Sequence, residues 1–382
     1  MLLDSMCKLL QNCPFSNYFS FYCFPLIYRL LSLIDSDKMN GTLLVSRLFR
    51  NISPPNNEAD FSGKIYIFRP LNPPAKLTLM LFFVAISIIA FGGNVLMLLF
   101  MKNKDRTTSF IKACDFQRSF NFYIKSLATS DVLASAIPLP YLSLNLYFDF
   151  LQRGWPCKIG RYVVFLFPCV TDNNLLVVTF GKYLATRQVP RTLSVPTVRR
   201  VVLIAWLAAF LSALFPAAIM NGIRYDLNET HYTVICKYDN TYLPFRIVFA
   251  TFTILQYITP CCILISVNIS LIKTLCRRTK RTVDVQKDNA IKSIARAARN
   301  RAVYIDIVLS FAFVTPYFGY FAYVIYDMAA QPDISFEIDQ VIRAANTIIV
   351  YSNSAFDPII YFVQMKDFRA FLKEKLISRF LT

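Results

Sequence analysis

Asp131, Lys182, Asp306 and Asp357 all fall inside long apolar runs of this 382-residue chain. A charge at the centre of a hydrocarbon layer is costly, so such residues mark ion sites, proton relays or switches. Asp357 stands in Asn353-Ser354-Ala355-Phe356-Asp357-Pro358-Ile359-Ile360-Tyr361. A proline within a membrane helix frees a backbone carbonyl and bends the helix, so Pro358, and Pro316 in the preceding run, mark points that can move. Carboxylate, hydroxyl and amide oxygens beside a bend can hold a proton or a small cation. A metal centre is not expected. The only histidine is His231, and the ten cysteines show neither a CxxC nor a Cys/His metal spacing. No enzyme activity is expected.

The elements that must position these groups follow from composition. The chain is 55% hydrophobic and 17% charged, which excludes both a soluble globular domain and a disordered one. A net charge of +18 would fit nucleic acid, but the charges cluster in short loops between apolar runs. That is the positive-inside pattern, and no nucleic-acid partner is expected. A spanning helix needs about 20 mostly apolar residues. Such runs lie at 77–101, 121–147, 158–183, 200–220, 243–275, 302–328 and 337–362. The loops after the first, third and fifth spans and the tail are rich in Lys and Arg, whereas the alternate loops carry Asp226, Glu229, Asp239, Asp327 and Asp333. This bias puts the N-terminus outside. The sequons at Asn40, Asn51 and Asn228 share the outer side and are candidate glycosylation sites, whereas Asn268-Ile269-Ser270 falls within a span.

Three regions result. Residues 1–76 form an extracellular N-terminal region. Within it, 15–34 are apolar but interrupted by Pro25 and Arg29: an uncleaved signal segment, a poorly formed signal peptide, or an upstream extension with translation starting at Met39. Residues 51–76 are polar and proline-containing, and flexibility is expected there. Residues 77–364 form the bundle. Residues 365–382 form an amphipathic helix and a short cytoplasmic tail with few phosphorylation sites. The basic stretch Lys366–Leu376 should lie along the anionic inner leaflet, making membrane lipid a partner.

The Asn353–Tyr361 string, followed by Lys366-Asp367-Phe368-Arg369-Ala370-Phe371-Leu372, resembles the end of helix seven and the next helix of rhodopsin-like (class A) G-protein-coupled receptors. Gly92-Gly93-Asn94-Val95 resembles that family's helix one, and Leu127-Ala128-Thr129-Ser130-Asp131 its helix two. Trp206 matches helix four, and Pro216, Pro260, Pro316 and Pro358 match the prolines of helices four to seven. The ordered set covers 77–377. The resemblance implies an all-α membrane protein: a seven-transmembrane bundle followed by a short amphipathic helix.

It also implies roles for residues. Cys157, at the outer start of the third span, would be disulfide-bonded to Cys236 in the loop after the fourth; both face an oxidising compartment, and the alternative is two free thiols. Asp131, Thr171, Asn353, Ser354 and Asp357 look like the family's sodium pocket, with Asp131 as a ligand of Na+. Two nearby carboxylates cannot both stay charged without a counter-ion or a proton, so the alternative is a structural network with one acid protonated. No other cofactor is implied. Gly181-Lys182-Tyr183 stands where the family shows Asp-Arg-Tyr. Lys is a compact point charge without the guanidinium fork, and Arg296 replaces the usual acid of helix six, so the ordinary ionic latch cannot form. Lys182 is expected either to reach Asp306 instead or to leave Asp306 protonated or hydrated. The helix-six Trp is absent from Phe313-Val314-Thr315-Pro316, and the apolar switch positions beside Pro260 hold Asp172 and Ser310.

Val164 stands where amine receptors place an Asp, and no lysine sits near Asn346–Ser354 for retinal. The loop Asn221–Tyr242 reads as extended and alternating, with Tyr225, Tyr232 and Tyr238, where peptide receptors often carry a hairpin. The resemblance therefore implies an extracellular ligand, expected to be a peptide, and activation of a heterotrimeric G protein. The cytoplasmic cleft would be lined by Lys182, Arg296 and Arg299, with Tyr183 and Tyr361 in the coupling machinery. Two other classes stay open. One is a seven-helix decoy or scavenger without G-protein output, which the Gly181-Lys182 departure favours. The other is a transporter, against which stands the lack of an internal repeat.

Overall fold

The computed structural model describes residues 63–108, 115–186, 193–239, 241–283, 290–330 and 335–380. Helix α1 (Pro73–Thr108) opens on two prolines, tolerated in a first turn where the amides have no intrahelical acceptor. The second span is broken into α2 (Asp115–Ala136) and α3 (Pro138–Asn145). Pro138 cannot donate to the carbonyl four residues back and crowds it, so the helix is interrupted there. Helix α4 (Gly154–Thr186) runs unbroken through Pro168. Pro216 divides the fourth span into α5 (Val195–Ser212) and α6 (Leu214–Ile219) in the same way. The fifth is α7 (Leu243–Thr253), a widened turn at Ile254–Ile258 and α8 (Thr259–Val283); the extra residue in that turn absorbs the amide missing at Pro260. Helices α9 (Ala290–Ala330), α10 (Phe336–Gln364) and α11 (Lys366–Phe380) complete the chain.

Among the described residues, six spans are long and apolar enough to cross a membrane by length and composition. Helix α10 is diluted by polar residues, but these have one address: Asn353, Ser354 and Asp357 are buried, while Ile349, Ile359, Phe362 and Val363 are exposed. Polar inside and apolar outside is the arrangement of a helix packed in a bundle and bathed in lipid. The rest of the outer surface agrees. Leu81, Ile88, Leu203, Ile204, Phe215 and Phe318 are all more than half exposed, an apolar belt that only a hydrocarbon solvent accommodates.

With lipid as apolar as the helix surfaces, helix association depends on close packing and buried hydrogen bonds. Gly93 lets α1 meet Pro358 of α10, where an added Cβ would stand 2.6 Å from the proline ring. Asn94 Nδ2 donates to the Ala90 and Ser354 carbonyls, each at 2.9 Å. Trp206 Nε1 donates to Ser126 Oγ at 3.0 Å, and Ser126 donates to Asn174 Oδ1 at 3.1 Å, tying α5, α2 and α4. At the inner end, Phe368 and Phe371 of α11 pack on Phe100 at 5.3 and 5.6 Å, and Lys104 pairs with Asp367 at 3.3 Å. The short helix therefore docks its apolar face on α1 and leaves Lys366 and Lys373 exposed.

Over the outer end lies a small sheet. Strands β2 (Asn221–Asp226) and β3 (His231–Lys237) form an antiparallel hairpin, with Gly222 opposite Cys236 and Asp226 opposite Tyr232. Strand β1 (Ile65–Tyr66) joins parallel to β3, giving the order β1-β3-β2. This corrects the expectation of flexibility through residue 76. The Ile65 and Ile67 amides donate at 2.8 Å to the Thr230 and Tyr232 carbonyls, Lys64 pairs with Asp226 at 3.0 Å, and Tyr66 donates to Asp149 at 2.5 Å. Burial and then the Asp149 contact push the Tyr66 hydroxyl up to about 12, so it stays a donor. Alternation also fails in β3, whose residues 232–236 are all buried. It is the central strand, with neighbours on both edges and the bundle beneath.

Candidate functional site

Cys157 and Cys236 form a disulfide with Cα atoms 5.6 Å apart, pinning β3 to the outer end of α4. The Cys236 amide donates to Gln152 Oε1 at 3.0 Å, and Gln152 Nε2 donates to Asn145 Oδ1 at 2.7 Å. Beneath this bracket opens a cavity of about 170 Å³. That is more than ten times the roughly 10–15 Å³ that admits one water. Its walls are apolar and aromatic, with Phe83, Phe165, Phe249, Tyr257, Tyr317 and Tyr351 among them. Val164 lines it, so no carboxylate stands at that position, and its carbonyl accepts from the Tyr351 hydroxyl at 2.8 Å.

Arg69, Arg161, Lys237 and Arg343 also line the cavity, and none of its lining residues among those described is acidic. The sequence reading missed these cations. Arg161 lies inside a span and could have been flagged as an intramembrane charge; Arg343 follows Asp339 by one helical turn, to which its Nε donates at 2.9 and 2.8 Å. Tyr323 donates to the same carboxylate. Arg69 gave no signal, since its position depends on a strand pairing across more than 160 residues.

In mid-bundle, Asp131, Thr171, Asn353, Ser354 and Asp357 are all buried. Ser354 Oγ donates to Asp131 Oδ1 at 2.8 Å, and Ser130 and Thr171 hydroxyls lie 3.3 Å apart. The Asp131 and Asp357 carboxyls are near neighbours. Asp131 Oδ2 and Asn353 Oδ1 have no hydrogen-bond partner among the described residues. Orphaned hard oxygens beside a carboxyl pair fit a small cation, and equally fit a shared proton with water.

At the inner end of α4, Lys182 is buried with its ammonium 4.6 Å from the centre of the Phe120 ring on α2. Tyr183 packs on Leu271, Ile272, Val303 and Ile307 of α8 and α9. Tyr361 is fully buried, and Pro316 and Pro358 lie within α9 and α10. Asn228 is exposed in the β2–β3 turn, its Oδ1 accepting from the Thr230 and His231 amides at 2.9 and 2.7 Å. Asn40 and Asn51, the segment 15–34, and the side chains of Arg296, Arg299 and Asp306 lie outside the described residues.

A family model for "7 transmembrane receptor (rhodopsin family)" matches residues 93–361. The chain is 22% identical over 289 residues to a melanopsin of Branchiostoma belcheri, covering 70% of this chain and 39% of that protein. It is 22% identical over 322 residues to probable G-protein coupled receptor 19 of Rattus norvegicus, covering 80% and 68%. It is 21% identical over 308 residues to adenosine receptor A3 of Canis lupus familiaris, covering 77% and 89%. The crystal structure of squid rhodopsin aligns with a TM-score of 0.61 at 18% identity, over 81% of this chain and 88% of that one, a likeness of fold. The match runs from Gly93 on α1 to Tyr361 on α10, through every span and the disulfide-held hairpin: the chain belongs to the rhodopsin family of seven-transmembrane receptors.

Proposed function

We propose that the chain is a plasma-membrane receptor, N-terminus outside, that binds an extracellular ligand and promotes nucleotide exchange on a heterotrimeric G-protein α-subunit. The observation that carries this reading is the outer cavity roofed by the disulfide-bound hairpin. A ligand there touches α1, α4, α7, α9 and α10 at once, so it can favour one relative placement of the helices over another. Pro316 and Pro358 are the bending points of that change, and the basic inner face around Lys182, Arg296 and Arg299 admits the α-subunit. The hairpin supports a peptide as the ligand, since the β2 edge of its sheet can take an extended chain. In the Asp131 cluster, bound Na+ would supply positive charge between the two carboxyls and hold α2 against α10; Asp131, Thr171, Asn353 and Ser354 would hold it. The amphipathic α11 lies on the inner leaflet.

One observation favours the second reading, a receptor-shaped binding protein without G-protein output. Lys182 is buried, with its ammonium against the Phe120 ring. Basal nucleotide exchange in cells expressing wild type or Lys182→Ala, across a panel of Gα subunits, separates the two. Activity that the substitution abolishes supports coupling through Lys182; silence of a surface-expressed wild type, with ligand engaging the cavity, supports the decoy.

A further inference from the structure

Two of the cations that line the outer cavity have no acidic partner among the described residues. Among the described residues, four cationic side chains line it and no acidic one does. Arg343 is answered by Asp339 behind it. Arg69 and Arg161 have no carboxylate within ion-pair distance among the described residues; their contacts are with neutral oxygens. Arg69 Nη2 donates to Asn145 Oδ1 at 2.5 Å, and Arg161 Nη2 to the Cys236 carbonyl at 2.8 Å.

Arg69 is the more telling. It is 8% exposed, its Nε has no hydrogen-bond partner among the described residues, and its backbone adopts φ +39°, a conformation L-residues rarely take. Burial, and next the charge of Arg161, hold its guanidinium down to about 10. A guanidinium carried into an apolar cavity toward a second one is unfavourable unless an anion joins them. The surrounding walls are aromatic and aliphatic, which suits a body of the same kind.

We propose that the ligand of this cavity carries a carboxylate, held between Arg69 and Arg161, on an aromatic or aliphatic body that fills the space between Phe165, Tyr257, Tyr317 and Tyr351. This rests on the receptor reading above and deepens it. A guanidinium binds a carboxylate through paired N–H donors, and each Arg here still has donors to offer. The N-terminal strand is thereby part of the binding site, because β1 pairing on β3 brings Arg69 to the cavity. A peptide with a free C-terminus and a small organic acid supply the same group.

The test uses the full-length receptor in neutral phosphatidylcholine nanodiscs and reads its unfolding temperature. The peptide arm compares N-acetyl-Phe-Phe as the free acid with its C-terminal amide. The small-acid arm compares 4-phenylbutyrate with 4-phenylbutyramide. The expected result is a saturable rise with at least one acid and none with its amide; the arm that responds identifies the source. Arg69→Gln and, separately, Arg161→Gln should weaken that acid about thirtyfold or more, the low end for losing one partner of a buried charge pair. Arg224→Gln, which removes an exposed arginine of the hairpin, should leave it unchanged. Equal effects of acid and amide, an acid effect that survives both cavity substitutions, or no response to either acid would overturn the proposal. If a variant does not fold, the acid-against-amide comparison on the wild type decides. G-protein exchange is measured apart, so a receptor that binds the acid yet activates no Gα overturns the signalling reading and leaves this one standing.

Discussion

Asp172 offers the sharpest test of how the bundle interior is built. It is fully buried on α4, and neither carboxyl oxygen has a hydrogen-bond partner among the described residues. Ser310 on α9 is buried with its hydroxyl equally unpartnered. Leaving a buried polar group unsatisfied costs about 1–3 kcal/mol, and replacement by an apolar group of similar shape is neutral or stabilising. Asp172→Val removes both orphaned oxygens at nearly constant volume. At roughly 2 °C per kcal/mol for a fold of this size, the unfolding temperature should rise by about 2–6 °C. Asp172→Asn keeps an unsatisfied polar head and should gain nothing. The assay is thermal unfolding of purified receptor in neutral detergent, read by a thiol-reactive dye that reports exposure of buried Cys169 and Cys261. A drop of more than about 2 °C in Asp172→Val would refute the reasoning: it would mean that water, a cation or a proton relay satisfies the carboxyl in the native protein.

Other expectations follow from single contacts. Gly93→Ala places a methyl 2.6 Å from Pro358 and should destabilise the α1–α10 contact by about 1–3 kcal/mol, read as a lower unfolding temperature; an unchanged value would mean that the proline ring yields freely. Cys236→Ser opens a bridge that closes 79 residues, worth at most about 4.5 kcal/mol by chain entropy and less here, because the spans already hold both ends on one side. Surface expression should fall; wild-type expression and unfolding temperature would contradict the role given to the bracket. Exchanging NaCl for choline chloride should lower the unfolding temperature of the wild type but not of Asp131→Asn if the cluster holds Na+; an equal effect on both removes the cation. The Lys64 hydrogen bond, followed by that of Arg224, lowers the Asp226 carboxyl below its ordinary value. Its contribution is therefore complete above that value and lost as pH falls through the lowered one. After correction for intrinsic rates, amide exchange at Ile65 and Ile67 should quicken on such acidification in the wild type and not in Asp226→Asn.

The architecture was legible because the membrane imposes it. Long apolar runs mark the membrane-crossing helices and the ordered motifs that resemble the rhodopsin family give their arrangement; the amphipathic stretch after Met365 was legible too, but the docking of its Phe368 and Phe371 on Phe100 was not. The clustering of Asp131 with Ser354 was legible through the resemblance to the family's sodium pocket. Lys182 was legible as a departure; that its ammonium sits over the Phe120 ring was not. A side chain with four rotatable bonds takes its direction from neighbours on other helices.

The apolar spans were thus determined by the sequence itself, because each depends on the local match between a segment and its solvent, and the bridge of Cys157 to Cys236 came from the family resemblance. The tertiary structure alone decided what faces the outer cavity. Arg69 reaches it only because two residues of β1 pair with β3, far along the chain, and Arg161 turns inward to the Cys236 carbonyl only because the disulfide puts that carbonyl there. Such contacts join segments whose separate sequences carry no mark of each other, and the character of the binding site lies in them.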